Sequence, residues 1–236
     1  MIPDKINPLS NARAARQLLR AHRYGALSTL SKKFDGHPFG SITPYLVDHD
    51  GSLLILVSAL AEHTKNILHD PRVSLITHNQ DDPHIQTQGR ITVVGNAMPE
   101  PDREHCGKRY LRYFPEAQTY FDMADFNFFR ITPMALRYIG GFGDIHWVKA
   151  ENYRLPHYPL IMEEDALIAE INQSQRIALA AHCSKPDGSD VTLIGLDCDG
   201  FDLRTGRNLQ RREFTELTLN ASQARNAVLA GAAKAD

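Results

Sequence analysis

Leu136-Arg137-Tyr138-Ile139-Gly140-Gly141-Phe142-Gly143-Asp144-Ile145-His146-Trp147-Val148 is an apolar strand interrupted by three glycines among four residues and resumed with a polar pair. Glycine gives up side-chain packing and loses more entropy on folding, so in a strand it marks a bulge, a sharp bend or a close backbone approach. A barrel corner or the floor of a ligand site would each account for Gly140, Gly141 and Gly143. If the strand continues past them, Asp144 and His146 share one face while Ile145 and Trp147 share the other. Trp147 is then expected in the core. Asp144 and His146 suit a ligand, a proton relay or a general base, or else form a solvated pair at a strand edge. The spacing is not GxGxxG and no helix follows, which excludes a dinucleotide fingerprint.

Outward from this stretch the pattern is that of a meander. Ala12, Ala15, Leu18 and Leu19 line one side of a helix entered at Asn7-Pro8-Leu9-Ser10, with Ser10 as its cap. Strands are expected at 25–30 and 41–47, joined by Asp35-Gly36, then at 53–58, 71–77, 85–95 and 126–131. A short helix falls at 61–70 and another at 102–114, ended by Pro115. Six or seven antiparallel strands with few helices predict a barrel rather than a doubly wound sheet. Composition changes near Ala150. Residues 1–150 are expected to form the barrel domain, 151–159 a linker around Pro156 and Pro159, and 160–236 a small α+β domain. In that second domain a helix is expected over 163–183, short strands follow around the turn Asp197-Cys198-Asp199-Gly200, and a helix runs from Ser222 to Lys234.

The chain has 236 residues, with 26 basic against 28 acidic side chains and a formal charge of −2. No basic field argues for nucleic acid or a membrane surface. Cys106, Cys183 and Cys198 are odd in number and lack CxxC spacing, as expected in a reducing compartment. No run approaches the roughly 18 apolar residues of a membrane span, and the first twenty residues lack the apolar core of a signal peptide, so a cytoplasmic protein is expected.

Ser58-Ala59-Leu60-Ala61-Glu62-His63-Thr64-Lys65-Asn66 crosses from strand to helix. Free backbone N–H groups at a helix start favour an anion, and Ser58, His63, Thr64 and Lys65 add donors. The same residues equally fit a structural cap and a solvated charge. Ser41, on a preceding strand, is a further hydroxyl candidate. The 11 histidines include no HxH, HExxH or Cys/His cluster, so no structural metal is assigned. Neither GxSxG nor a P-loop is present.

Pro38-Phe39-Gly40-Ser41, His63-Thr64-Lys65-Asn66 before Asp70-Pro71-Arg72, and Gly140-Gly141-Phe142-Gly143 before Ile145-His146-Trp147 resemble the HugZ/HutZ-type haem-utilisation branch of the pyridoxamine 5′-phosphate oxidase-like family. The resemblance implies an FMN-binding split barrel over residues 8 to 150. It also implies a small accessory domain of the DUF2470 type, with the turn at 197–204. It further implies a homodimer with two ligand sites between subunits, holding haem or FMN. Flavin-binding relatives hold the phosphate with a strand-ending serine and a basic pair; His63 falls where the family lysine stands. By this resemblance Ser41, Ser58, His63, Thr64, Lys65, Asn66, Gly141 and Gly143 would contact the cofactor. The haem branch opens the porphyrin oxidatively, using a histidine ligand and basic residues at the propionates. Where accessory domains carry Met-Asn-x-Asp-His, this chain has Ile171-Asn172-Gln173-Ser174-Gln175, which leaves His146 or His182 as the haem-iron ligand. Three functions follow: a haem-binding or haem-degrading oxidoreductase, an FMN-dependent oxidoreductase, or a non-catalytic binding protein.

Overall fold

The computed structural model describes residues 8–79, 82–84, 86–155, 160–183 and 191–230, and its contacts divide the chain into Met1–Leu155 and Pro156–Asp236. The first unit runs α1 (Pro8–Ala21), β1 (Tyr24–Leu30), β2 (Pro38–Pro44), β3 (Leu46–Val47), β4 (Leu53–Ser58), α2 (Glu62–His69) and β5 (Arg72–His78). It continues through β6 (Arg90–Pro99), α3 (Arg103–Tyr113), α4 (Gln118–Phe121), β7 (Phe126–Gly141), β8 (Asp144–Lys149) and α5 (Ala150–Tyr153). One antiparallel sheet is ordered β2-β1-β5-β6-β7-β4-β3, with β8 added on β7. Its curl brings β2 back against β4, the geometry of a split barrel.

Two neighbouring rows of side chains show how alternation makes the core. Leu27, Leu75, Val93, Leu136 and Val148 follow one another across β1, β5, β6, β7 and β8, and all are buried. Burying each contributes about 1.5–3 kcal/mol. The adjacent row, one residue on, is Ile42, Ala26, Ile76, Thr92, Arg137 and Trp147. It lies on the outer face, with Ile42 67% and Trp147 61% exposed. Trp147 is therefore a surface residue, not the core residue expected, because the core row at this point passes through Val148 on the opposite face.

Strands expected at 126–131 and from 136 onward are one 16-residue strand, β7. A bulge lies where Val94 pairs Ala135 but Gly95 pairs Pro133, leaving Met134 as the extra residue. Pro133 lacks an N–H and is tolerated at such a point. A Cβ at Gly95 would collide with the Thr132 carbonyl. The sheet has eight strands rather than six or seven, because the two-residue β3 and the separate β8 were not distinguished in the sequence. The strand expected at 85–95 begins at Arg90; Ile85 lies outside the described residues, and Thr87 and Gln88 turn back onto the His84 carbonyl. Ser10 sits inside α1, not at its cap. The start of the expected linker is α5, whose Tyr153 is fully buried and donates to the Gly51 carbonyl. Residues 156–159, with Pro156 and Pro159, lie outside the described residues, as do Asn7 and Lys234.

A charged knot ties β3, β6 and β7 together. Arg130 donates to Glu100 at 2.6 Å, to Asp48 at 2.8 Å, and to the Ser52 hydroxyl. Arg109 donates to the Val47 carbonyl at 2.8 Å and stands 3.9 Å from Asp48. Burial alone would raise the Asp48 carboxyl, but Arg109, Arg130 and the His49 N–H outweigh it, so the group titrates below its ordinary range.

The second unit comprises α6 (Glu164–Ser174), α7 (Arg176–Ala181), β9 (Val191–Asp197), β10 (Gly200–Thr205), β11 (Asn208–Glu213) and α8 (Ala221–Ala230), with sheet order β11-β10-β9. The helix expected over 163–183 is two helices, parted at Gln175, whose backbone leaves the helical region. Asn172 both donates to the Leu193 carbonyl and accepts from its N–H, fastening α6 to β9. Arg211 reaches Asp197 at 2.9 Å and Asp202 at 3.0 Å, with all three side chains buried. Among the described residues no helix is long and apolar enough to cross a membrane.

Candidate functional site

The glycine stretch is a hairpin. β7 ends at Gly141, Phe142 and Gly143 form a two-residue turn, and β8 starts at Asp144. Such a turn needs a positive φ, supplied by Gly143 at +86°. The expected floor is thus a protruding tip, with Phe142 94% exposed. What the glycines do provide is room at its base. A Cβ on Gly140 would strike the Asp144 carboxylate and come within 2.6 Å of the Tyr138 hydroxyl. In that space Asp144 accepts from His146 Nε2 at 2.7 Å. Burial, and next the Asp144 charge, raise the Tyr138 phenol above its ordinary range. Gly140→Ala is accordingly expected to push Asp144 off the imidazole while the barrel stays folded, costing about 1–3 kcal/mol in chemical denaturation.

His146 lines a recess of about 420 Å³ with Asn11, Arg137, Trp147 and Asn152. Arg137 lies over the Trp147 ring at 5.3 Å and meets no carboxylate among the described residues. The sequence did not single out Arg137, Asn11 or Asn152. They come from α1, β7 and α5, elements whose approach to β8 depends on the assembled fold.

The residues around α2 are arranged differently from a phosphate cradle. Ser58 donates to Asp125 at 2.7 Å, Thr64 donates to the Ser58 carbonyl at 2.7 Å, and buried Asn66 donates to Thr29 at 3.0 Å while accepting from Lys32 N at 2.9 Å. These polar groups hold β4, α2 and the β1–β2 hairpin together. Lys65 is exposed, 3.9 Å from Glu62. His63 Nδ1 meets Ser41 Oγ at 3.1 Å, and Nε2 is buried without a partner. Burial lowers the His63 pKa, so the ring is neutral near pH 7 and supplies no fixed cation there. Ser41 stands on β2 and His146 on β8, at opposite ends of the path β2-β1-β5-β6-β7-β8. Among the described residues Ser41 and His63 bond each other and Asp144 and His146 bond each other, with no bond between the two pairs. His182, in the second unit, bonds the Val228 carbonyl through Nε2 at 2.7 Å and packs against Phe201.

The class defined by this architecture is the antiparallel split barrel with small flanking helices. The chain belongs to the CREG beta-barrel family, whose model matches residues 7–154. It is 38% identical over 140 residues to "Non-canonical heme oxygenase HOZ, chloroplastic" of Arabidopsis thaliana, covering 58% of this chain and 43% of that protein. The match therefore spans less than half of that curated relative. A heme binding protein from Mycobacterium smegmatis is similar in structure, with TM-score 0.56 and 28% identity over 95% of this chain and 97% of that one. Protein Atu2129 of Agrobacterium tumefaciens, of unknown function, shares the fold at TM-score 0.78 and 22% identity, with 97% of each chain covered.

Proposed function

We propose that the chain binds haem where two copies meet, with His146 as the iron ligand, oriented by Asp144. The observation that carries this reading is the Asp144–His146 bond at the edge of a recess that also presents Arg137. A carboxylate on one imidazole nitrogen fixes the ring and leaves the other nitrogen to a metal. Arg137 suits a propionate, as a cation without an acidic partner. His182 is the weaker ligand candidate, since its Nε2 already bonds a carbonyl. The engagement of Ser58, Thr64 and Asn66 within the fold favours haem over a flavin phosphate at α2. Bound haem would supply the iron chemistry; the residues here hold and orient it.

The relatives described as a heme oxygenase and a heme binding protein support the ligand class. Ile42, Ala26 and Ile76, neighbours across β2, β1 and β5 on the outer face, support a second copy as its cover, because an apolar patch on a sheet face favours burial. Ile76→Asp is expected to convert a dimer to a monomer in light scattering, through the cost of burying an unpaired charge.

Hemin titrated into the protein should give a saturable Soret band and quench the fluorescence of Trp147, the sole tryptophan. His146→Ala should remove that coordination, His182→Ala should leave it intact, and Gly140→Ala should weaken affinity about 10–100-fold, as loss of a supporting carboxylate does. A flat wild-type titration would overturn the reading. Supplying a reductant in air then separates turnover, seen as loss of the Soret band with iron release, from simple binding.

A further inference from the structure

The recess beside His146 collects polar side chains that the fold leaves unused. Asn11 comes from α1, Arg137 from β7, Trp147 from β8 and Asn152 from α5. Neither asparagine amide makes a hydrogen bond among the described residues, and Arg137, over the Trp147 ring, has no hydrogen-bond acceptor among them. Each group is nevertheless anchored by the residue next to it in the chain. Ala12, Leu136 and Tyr153 are all fully buried, and the Tyr153 hydroxyl donates to the Gly51 carbonyl at 2.9 Å. Arg16 donates to the Tyr153 carbonyl at 3.0 Å, which ties α1 to α5 and sets Asn11 against Asn152 across the recess. No carboxylate is among the described residues that line it. The two nearest in sequence are engaged elsewhere, Asp144 by His146 at 2.7 Å and Glu151 by Lys149 at 3.5 Å.

A guanidinium is a planar fork of N–H donors that matches a carboxylate through two parallel bonds. An ionised carboxylate accepts at about four lone-pair positions, so two amide groups beside the fork can donate to those it leaves. Trp147 and Ile145, both exposed, give apolar surface to the rest of such a molecule. We propose that Arg137, Asn11 and Asn152 form a carboxylate clamp, in which the two asparagines determine specificity for one planar, singly charged group. The ligand class follows from this donor set. The clamp deepens the haem reading, on which it rests only for the molecule that bears the carboxylate.

Benzoate, its neutral counterpart benzamide and inorganic phosphate, each titrated into the full-length protein and followed by Trp147 fluorescence, test this. Because the Arg137 guanidinium lies over that ring, a molecule that engages it changes the emission. Benzoate is expected to give a saturable change, and benzamide and phosphate at the same concentrations are not. Arg137→Gln should abolish the benzoate response. Asn11→Ala and Asn152→Ala should each weaken it about tenfold or more, as loss of a hydrogen bond to a charged group does. Equal responses to benzoate and benzamide would show a plain apolar cleft and overturn the clamp, and saturation by phosphate would overturn its selectivity for a planar group. A benzoate response unmoved in both asparagine variants would overturn their part in it. No benzoate response in a protein that still forms a His146-dependent Soret band would overturn the clamp and leave the haem reading standing. Benzoate saturation in a protein that takes no hemin would support the clamp and remove the haem reading.

Discussion

Arg211→Met is expected to unfold the second unit while the barrel remains intact. Arg211 is a cation bonded to both Asp197 and Asp202, and its removal takes that charge from two buried carboxylates. Breaking a buried ion pair by removing one partner costs about 3–5 kcal/mol. A unit of this size has a total stability of only about 4–12 kcal/mol at ordinary values per residue. The lone tryptophan makes the two units separable by spectroscopy, because Trp147 belongs to the barrel. Urea titration followed by fluorescence should match the wild type, while far-UV circular dichroism should show an early loss of structure. Coincident early transitions by both probes would contradict this picture.

Arg130→Met is expected to cost the barrel about 3 kcal/mol, the lower end of that range, because the Arg130 side chain retains some contact with solvent. The variant takes a direct partner from both Asp48 and Glu100, leaving Arg109 3.9 Å from Asp48. The same knot sets an acid dependence. The Asp48 carboxyl is held below its unfolded value of about 3.9, so its contribution is fully present above that pH. It is lost as the pH falls through the folded value. Between pH 7 and 3 the wild type should therefore lose stability more steeply than Arg130→Met, which has already lost the charge and hydrogen bond that Arg130 gives Asp48. Parallel stability curves in that interval would show that Asp48 does not carry the effect.

Local chemistry was legible in the sequence where one rule decides the outcome. The apolar run 53–58 is the buried β4, Asp35-Gly36 lies in the β1–β2 turn, and Asp144 and His146 do fall on one side of a strand. What escaped was information carried by partners far along the chain. Nothing near Trp147 distinguishes the outer row from the inner one, since that depends on pairing with Arg137 and Thr92. Thr64 and Asn66 have the composition of an anion site, yet their bonds to Ser58, Thr29 and Lys32 exist only once the strands have assembled. The glycines alone fit a corner, a ligand floor or a two-residue hairpin, because a bent strand and a tight turn both need glycine.

The extra residue Met134 works as a parity switch. Before it, the odd-numbered Phe129 and Ile131 of β7 enter the core; after it, the even-numbered Leu136 and Tyr138 do so, while β6 keeps Ile91, Val93 and Ala97 in one phase throughout. One strand is thus amphipathic twice, with opposite sense in its two halves. The hairpin that carries Asp144 and His146 on β8 inherits its orientation from a single inserted amino acid some ten positions upstream. Any chimera that joins this hairpin to another barrel must carry the same count of residues across the bulge, or the imidazole and the tryptophan will exchange sides.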